Sequence, residues 1–225
     1  MVVHYHNKGV ATHQDKWFDD ALYKRFFKGI KVILLSECLY EDVKKYVDRD
    51  DVFVCGNGIP SSAIESLVSA SSVMTSSEDK VPHLLFLSNL LISKGVVVLL
   101  DSLMVLKKKG CRFVCDFVGG ETVEMDAAMF QAEVIKRGLE GMVVYLGKKY
   151  GKDKEAFLNG ADIFVFPTFY HNEYFPLVLL EAMEHGLPCI STTEGEYQDL
   201  LMMVRRASLF RSMMLLCLLT RFCFS

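Results

Sequence analysis

Residues 83–121 read HLLFLSNLLISKGVVVLLDSLMVLKKKGCRFVCDFVGGE, and two apolar patterns alternate along this stretch. The short runs HLLFLS and RFVCDFV are typical of buried strands. The longer segment between them, VVVLLDSLMVLKKKG, ends in lysines and a glycine, a favourable carboxyl end for a helix. A strand, a helix and a strand in this order predict two parallel strands joined by a helix.

The same rhythm continues along the whole chain and predicts an α/β fold, a parallel sheet with helices on both faces. The predicted strands are VVHYH, KVILLS, VFVC, HLLFLS, RFVCDFV, MVVYL, DIFVFP and PCIST. Residues 61–82 are rich in serine and end in charges and a proline, so they indicate a connection between two lobes. The alternative is a long loop within one domain.

Composition restricts the class of protein. With 225 residues, of which 51% are hydrophobic and 24% charged, the chain is globular, with one or two domains. A net charge of −3 gives no general attraction for nucleic acid or anionic lipid. Seven cysteines without a C-x-x-C pair favour a reducing cytoplasm. We expect no secretory signal at the start, and no uncharged run is long enough to span a bilayer.

The last segment, residues 201–225, departs from the rest of the sequence. It has four arginines and no acidic residue, and its apolar residues follow no clear helix or strand period. One interpretation is a basic amphipathic segment lying on a membrane. The interpretation that we favour is a segment that does not belong to the evolved fold, as would follow from a reading-frame change.

Ligands of open parallel sheets bind beyond the carboxyl ends of the strands, so the loops at those ends are the places to search. After HLLFLS, Lys94 lies at the start of a helix, where a cation opposes the helix dipole unless it meets an anion. A solvated surface lysine is the alternative. After RFVCDFV, the paired Gly119 and Gly120 allow a tight turn and close backbone approach, although many turns need glycine for geometry alone.

The loop after DIFVFP leads into a helix predicted to start at Pro176, and its amide end is an anion site. Glu173 precedes this helix and is a candidate cap. Glu181 is charged within the apolar stretch PLVLLEAM and should therefore have a hydrogen-bonding partner, for which sugar hydroxyls are well suited. The alternative is a glutamate that faces solvent.

These motifs, in this order, resemble the nucleotide-binding lobe of family-4 retaining glycosyltransferases with the GT-B fold. The resemblance rests on SNLLISKG, FVGGE, YLG and DIFVFPTFYHNEYFPLVLLEAMEHGLPCIST, and its most specific element is the E-x7-E pair from Glu173 to Glu181. It runs from about His83 to Asp199. The upstream segments HNKG and GNGIP resemble the later part of the first lobe.

The resemblance implies a GT-B architecture with a Rossmann-like parallel lobe and a partial second one. We therefore divide the chain into three parts. Residues 1–80 form the end of the acceptor-side lobe and its linker, and residues 81–200 form the nucleotide-sugar lobe. Residues 201–225 are the atypical tail. The function implied is transfer of a hexose from a nucleotide-diphosphate sugar to a glycan or lipid-linked acceptor. The setting implied is cell-envelope polysaccharide synthesis in the cytoplasm, with peripheral contact at the inner membrane face.

The resemblance also implies residue roles. Glu181 would bind the ribose hydroxyls and Glu173, a catalytic residue, the transferred sugar. The diphosphate would be stabilised by Lys94 and by amides of the segment that contains Tyr174, Phe175 and Leu177. Charge develops there in the transition state, so neither a metal nor a cofactor is expected. The donor-binding set is Asn89, Lys94, Gly119, Gly120, Glu173, Tyr174, Phe175, Leu177 and Glu181.

His6 resembles a family histidine near the anomeric carbon and is the second catalytic candidate. His4 is its rival, because residues two apart on a strand point the same way. The alternative for both is an ordinary edge or core histidine.

The chain departs from the family in two respects. Ser88 and Asn89 stand where members carry the glycine and arginine of G-R-x4-K-G, which removes one bidentate phosphate donor. The early strands of the first lobe and the end of the second are also expected to be absent. Two alternatives to the transferase therefore stay open, an inactive remnant that at most binds nucleotide and a nucleotide-sugar epimerase of the same fold.

Overall fold

A computed structural model describes residues 1–6, 9–13, 16–59, 81–170 and 176–192. The described residues fall into two compact units, one between Met1 and Gly58 and the other comprising Ile59, residues 81–170 and Val178–Thr192. The connection predicted at residues 61–82 lies mostly outside the described residues, as does all of the tail at 201–225. The boundary near residue 80 therefore stays a prediction.

The first unit is a three-stranded parallel sheet in the order β1-β2-β3, formed by Val2–Tyr5, Lys31–Leu34 and Val52–Val54. Helix α1, Trp17–Phe27, connects β1 to β2, and the short helix α2, Tyr40–Val43, lies between β2 and β3. Along β2 Val32 and Leu34 are fully buried while Lys31 is exposed, as expected for a strand covered on one face.

The second unit is a five-stranded parallel sheet in the order β6-β5-β4-β7-β8. Its strands are β4 His83–Leu87, β5 Val114–Val118, β6 Val143–Tyr145, β7 Ile163–Phe166 and β8 Cys189–Ser191. Its helices are α3 Val96–Lys108, α4 Ala127–Lys136, α5 Gly151–Gly160 and α6 Leu177–Glu184. The strands are largely apolar, as expected for a parallel sheet covered by helices on both faces.

The core of this unit is built from aromatic rings and from the apolar face of α3. The rings of Phe86 and Phe117 lie 5.0 Å apart on neighbouring strands, and Phe130 of α4 lies 4.8 Å from Phe117. Leu99 and Leu103 of α3 are completely buried at helical spacing. Rigid packing of this kind fixes the positions of the loops that leave the strands.

The strand order reverses once in the second unit. From β4 the chain continues outward through β5 and β6, and it then returns to place β7 on the other side of β4. A reversal of this kind is a topological switch point, where the loops after the two central strands diverge and leave a crevice at their carboxyl ends. The switch point lies between β4 and β7.

All eight strands predicted from the sequence are confirmed, and so is the helix predicted to end in the lysines before Gly110. The helix predicted to start at Pro176 begins one residue later, at Leu177, with Pro176 directly before it. Proline has no N–H to contribute, so a one-residue difference at this end is small. Within the described ranges, no helix combines the length and the hydropathy needed to cross a membrane.

Candidate functional site

The loops after β4 and β5 are joined by backbone contacts at Gly119. A Cβ atom built on Gly119 would lie 1.8 Å from the carbonyl oxygen of Ser88, so this position admits no side chain. The N–H of Leu90 donates to the carbonyl of Gly120 at 2.7 Å, and the Asn89 side-chain oxygen accepts from the Gly120 N–H at 3.0 Å. Gly119 therefore has a packing role, and Asn89 stabilises the loop with its side chain.

Lys148, in the loop after β6, lies over Gly120. A Cβ atom on Gly120 would be 2.2 Å from Cε of Lys148 and 3.2 Å from its ammonium nitrogen, and 2.8 Å from the side-chain oxygen of Asn89. The space beside this glycine is thus filled by Lys148, which comes from the loop after the neighbouring strand β6. A cation therefore lies beside Asn89, at the carboxyl edge of the sheet.

Lys94 lies at the switch point. It ends a short 3-10 turn, Ile92–Lys94, and is followed by Gly95, whose φ is +86°. A Cβ atom on Gly95 would lie 2.0 Å from the carbonyl oxygen of Pro167, so the loops after β4 and β7 touch through their backbones. The N–H of Phe169 also donates to the carbonyl of Ser93 at 2.8 Å. The position of Lys94 is therefore set by both central strands.

The ammonium group of Lys94 is half-buried among aromatic rings. It lies 4.6 Å from the ring centroid of Tyr170 and 5.7 Å from that of Phe166, distances at which a cation is attracted to a ring face. Burial lowers the pKa of Lys94 to about 8. An anion beside it would offset the cost of desolvating the charge.

Glu181 projects from α6 towards α5. Its Oε1 accepts a hydrogen bond from the ammonium of Lys154 at 2.6 Å, and the two side chains are 22% and 27% exposed. Its Oε2 is shielded from solvent and has no hydrogen-bond partner among the described residues. The hydrogen-bonding partner expected for this carboxylate is thus Lys154 at Oε1. Oε2 can still accept a hydrogen bond from a donor that is not among the described residues.

The Lys154–Glu181 pair lines an open pocket of about 230 Å³, to which Leu158 and His185 also contribute. Glu155 and Glu184 line it as well, so three carboxylates, one ammonium and one imidazole face this open pocket beside the apolar Leu158.

Several predicted donor-binding residues lie outside the described residues, namely Glu173, Tyr174 and Phe175. Their roles stay predictions. Leu177 is the first residue of α6, with an exposed side chain. Its N–H belongs to the first turn, where backbone donors have no partner within the helix.

In the first unit, His4 and His6 leave the same side of β1, as the strand period predicts. Nε2 of His6 lies 3.2 Å from Nδ1 of His4, and both side chains are exposed. The two imidazoles are therefore in contact with each other. The contact does not decide which of them is the catalytic candidate.

The loop that follows β1 is held by Asp42 of α2, which is almost completely buried. Its carboxylate accepts from the N–H groups of Gly9, Val10 and Ala11 at 2.9, 3.1 and 2.8 Å, and from the hydroxyl of Tyr5. Burial and the hydrogen bond to Asp42 raise the pKa of the Tyr5 hydroxyl. The backbone beside the histidine pair is therefore fixed by a single carboxylate.

Sequence reasoning missed Lys148, Lys154 and Asp42. Lys148 could have been found, because it directly follows the strand-end motif YLG and so belongs to a carboxyl-edge loop. Lys154 and Asp42 carry no comparable signal. Their partners lie 27 and at least 31 positions away along the chain, and only the packing of helices brings them together.

The two parallel α/β units place the chain in the GT-B architectural class, as similarity to solved GT-B glycosyltransferases shows. The chain belongs to the family described as "Glycosyl transferases group 1", whose profile matches residues 73–206, more than half of the sequence. A curated relative, the amylovoran biosynthesis glycosyltransferase AmsK of Erwinia amylovora, is 28% identical over 123 residues. That match covers 53% of this chain and 30% of AmsK.

Solved structures support the fold at low sequence identity. A glycosyltransferase from Rickettsia africae superposes with a TM-score of 0.65 and 18% identity, covering 86% of this chain and 52% of that one. Anabaena Alr3699/HepE in complex with UDP superposes with a TM-score of 0.66 and 17% identity, and the match covers 88% of this chain and 55% of HepE. HepE structures with UDP and glucose and with UDP-glucose are also similar. The chain spans about half the length of these proteins.

Proposed function

We propose that the chain is part of a family-4 retaining glycosyltransferase, which transfers a hexose from a nucleotide-diphosphate sugar to a glycan or lipid-linked acceptor. The observation that carries this proposal is Glu181, whose shielded Oε2 has no hydrogen-bond partner among the described residues while Lys154 holds Oε1. A buried carboxylate oxygen is costly unless it accepts hydrogen bonds, and the hydroxyls of a ribose donate them.

The diphosphate is proposed to bind at the switch point. Lys94 supplies a half-buried cation from the β4 side, and Lys148 supplies another from beside Asn89 and Gly120. Lys148 thereby compensates for the missing arginine, which the family carries at the position of Asn89. The amides of Tyr174, Phe175 and Leu177 are the remaining donors in the proposal. Similarity to HepE, which has been solved with UDP and with UDP-glucose, supports a nucleotide-sugar ligand.

In the proposed reaction, the bond between the anomeric carbon and a diphosphate oxygen breaks, the acceptor oxygen bonds to the anomeric carbon on the same face of the sugar, and the acceptor proton passes to the departing diphosphate. Negative charge grows on the departing diphosphate, so cations and amides already in place lower the barrier. The transfer is proposed to need no metal ion. A D-x-D triplet, Asp48–Asp50, overlaps the 3-10 turn Arg49–Asp51 at the amino end of β3, opposite to the carboxyl edge of that sheet.

Glu173 is proposed to hold hydroxyls of the transferred sugar, and His6 to position donor and acceptor near the anomeric carbon. The similarity to an amylovoran biosynthesis glycosyltransferase supports a role in polysaccharide biosynthesis. The cell-envelope product and the cytoplasmic face of the inner membrane are part of the proposal.

The test combines binding with turnover. The protein is titrated with a panel of nucleoside diphosphates by calorimetry and incubated with the matching sugar nucleotides and candidate acceptors, with and without a metal chelator. We expect nucleotide binding and a chelator-resistant glycoside with the anomeric configuration of the donor. Binding without turnover indicates the remnant, and an altered free sugar nucleotide formed without acceptor indicates an epimerase.

A further inference from the structure

The ring of Tyr170, in the loop after β7, reaches the ammonium of Lys94, which comes from the loop after β4. The ring centroid lies 4.6 Å from the ammonium nitrogen, closer than the centroid of Phe166 at 5.7 Å. Tyr170 is 37% exposed, whereas Phe166 is 1% exposed. The ammonium therefore contacts one ring that belongs to the core and one ring at the protein surface.

The backbone of Tyr170 is tied to the residue before Lys94. The N–H of Tyr170 donates to the hydroxyl of Thr168 at 3.2 Å, and this hydroxyl donates to the carbonyl of Ser93 at 3.3 Å. Thr168 is completely buried, and its carbonyl accepts a hydrogen bond from the hydroxyl of Thr192. The position of the tyrosine relative to the lysine is thus set in the fold, before any ligand binds.

An aromatic partner suits a cation that has to bind an anion. Burial disfavours the charged form of Lys94, and it lowers the pKa of this lysine to about 8. The negative face of a ring attracts the ammonium without neutralising it. A carboxylate in the same place would form an ion pair and compete with an incoming phosphate. A cation held by a ring keeps its charge available for that phosphate.

We propose that Tyr170 is a positioning residue for the diphosphate, since its ring holds the ammonium of Lys94 at the switch point. The inference rests on the proposed function, which gives Lys94 the phosphates as its ligand. A charged group meets the same turn from the β5 side, because the carboxylate of Glu124 accepts from the N–H of Ile92 at 3.0 Å. Glu124 binds the backbone of the turn, while Tyr170 acts on the ammonium itself.

Two substitutions separate the ring from the rest of the tyrosine. Tyr170→Leu keeps an apolar side chain and removes the ring face, and Tyr170→Phe keeps the ring and removes the titratable hydroxyl. The matched control is Tyr150→Leu, which changes another exposed tyrosine of this unit. Circular dichroism checks that all variants fold.

The first measurement needs no nucleotide. The rate at which acetic anhydride acetylates Lys94 is followed against pH by mass spectrometry of peptides, with the exposed Lys108 as internal reference. We expect the midpoint of the Lys94 profile to fall by about half a pH unit in Tyr170→Leu, because the ring no longer stabilises the charged form. The midpoint should stay where it is in Tyr170→Phe and Tyr150→Leu.

The second measurement is calorimetry at pH 7 with whichever of UDP, ADP and GDP the wild type binds most tightly. Tyr170→Leu should bind this nucleotide about threefold or more weakly, while Tyr170→Phe and Tyr150→Leu should bind it as the wild type does. The free nucleoside should bind equally to the wild type and all variants, because it has no phosphate.

An unchanged acetylation midpoint in Tyr170→Leu, or an equal loss of affinity in Tyr170→Phe, overturns the proposal. A wild type that binds none of the nucleotides, although the midpoint falls as expected in Tyr170→Leu, overturns the proposed function and with it the role of Tyr170 towards the diphosphate. The contact between ring and ammonium would then stand by itself.

Discussion

The ammonium of Lys154 lies 2.6 Å from Oε1 of Glu181, and the pair joins helices α5 and α6. Both side chains are largely removed from water, so removing either partner leaves the other without its hydrogen-bonded counter-ion. We predict that Lys154→Met lowers the free energy of unfolding by about 1–2 kcal/mol, since it leaves a half-buried carboxylate without its cation. Urea denaturation measures the change.

The matched control for this prediction is Lys152→Met, an exposed lysine on the same helix, which should change stability by less than about 0.5 kcal/mol. Equal effects of the two variants would show that the ion pair contributes nothing specific.

Glu181→Gln should weaken nucleoside diphosphate binding by tenfold or more, because a hydrogen bond to a charged group is worth about 1.5–3 kcal/mol. The loss should be specific for the ribose. The wild type should prefer the nucleotide over its 2′-deoxy analogue, and the variant should have lost most of that preference. Calorimetry with both ligands measures it, and Glu140→Gln, an exposed glutamate, is the control. A preference that survives in the variant would remove Glu181 from the ribose site.

Lys94 predicts a pH dependence of binding. Its pKa is lowered to about 8, so the ammonium is present below that pH and is lost above it. Affinity for a nucleoside diphosphate should therefore decline as the pH rises from 7 to about 9.5, and binding near pH 8 should take up protons, because the anion raises the pKa again. Calorimetry in buffers of different ionisation enthalpy measures both effects.

Lys94→Arg should keep the affinity and abolish this decline, since guanidinium stays charged. Lys108→Met, at the exposed end of α3, should behave as the wild type. A decline that persists in the arginine variant would assign the titration to another group.

Two adjacent glycines should respond differently to alanine. Gly119→Ala places a Cβ 1.8 Å from a backbone oxygen and should cost about 3 kcal/mol or more. At Gly120 the obstacles are the ends of the Lys148 and Asn89 side chains, which can move, so the cost should be smaller although the hydrogen bond of Asn89 is disturbed. Thermal unfolding distinguishes them. Gly160→Ala, with no atom within 4 Å of the added group, is the control and should be neutral or slightly stabilising.

Lys148→Met should weaken binding of a nucleoside diphosphate and leave binding of the free nucleoside unchanged, because the lysine is proposed to act on the phosphates. Adding Asn89→Arg should restore part of the affinity, since the lost cation then returns on the neighbouring loop. If the wild type binds nucleotide and Lys148→Met binds it equally well, the role of Lys148 is wrong while the proposed function stands.

The strands were predictable because each is an apolar run bounded by polar or turn residues, and β4 and β5 show this most clearly. Lys94 could be singled out because a cation at a helix start is locally unfavourable. Its aromatic surroundings could not be predicted, since Tyr170 comes from the loop of a strand that only the sheet order places beside β4. The sequence could predict that Glu181 has a hydrogen-bonding partner. It could not predict that this partner is Lys154, because the packing of two helices brings the two residues together.

The contact of Gly95 with Pro167 leaves no space for a side chain between the turns that leave β4 and β7. The backbones of the two turns are in contact, and the residues that they position, Lys94 and Tyr170, lie with ammonium and ring centroid 4.6 Å apart. For the anion proposed to bind here, part of the cost of ordering the site is already met in the fold, because the backbone that carries the cation is supported by two strands.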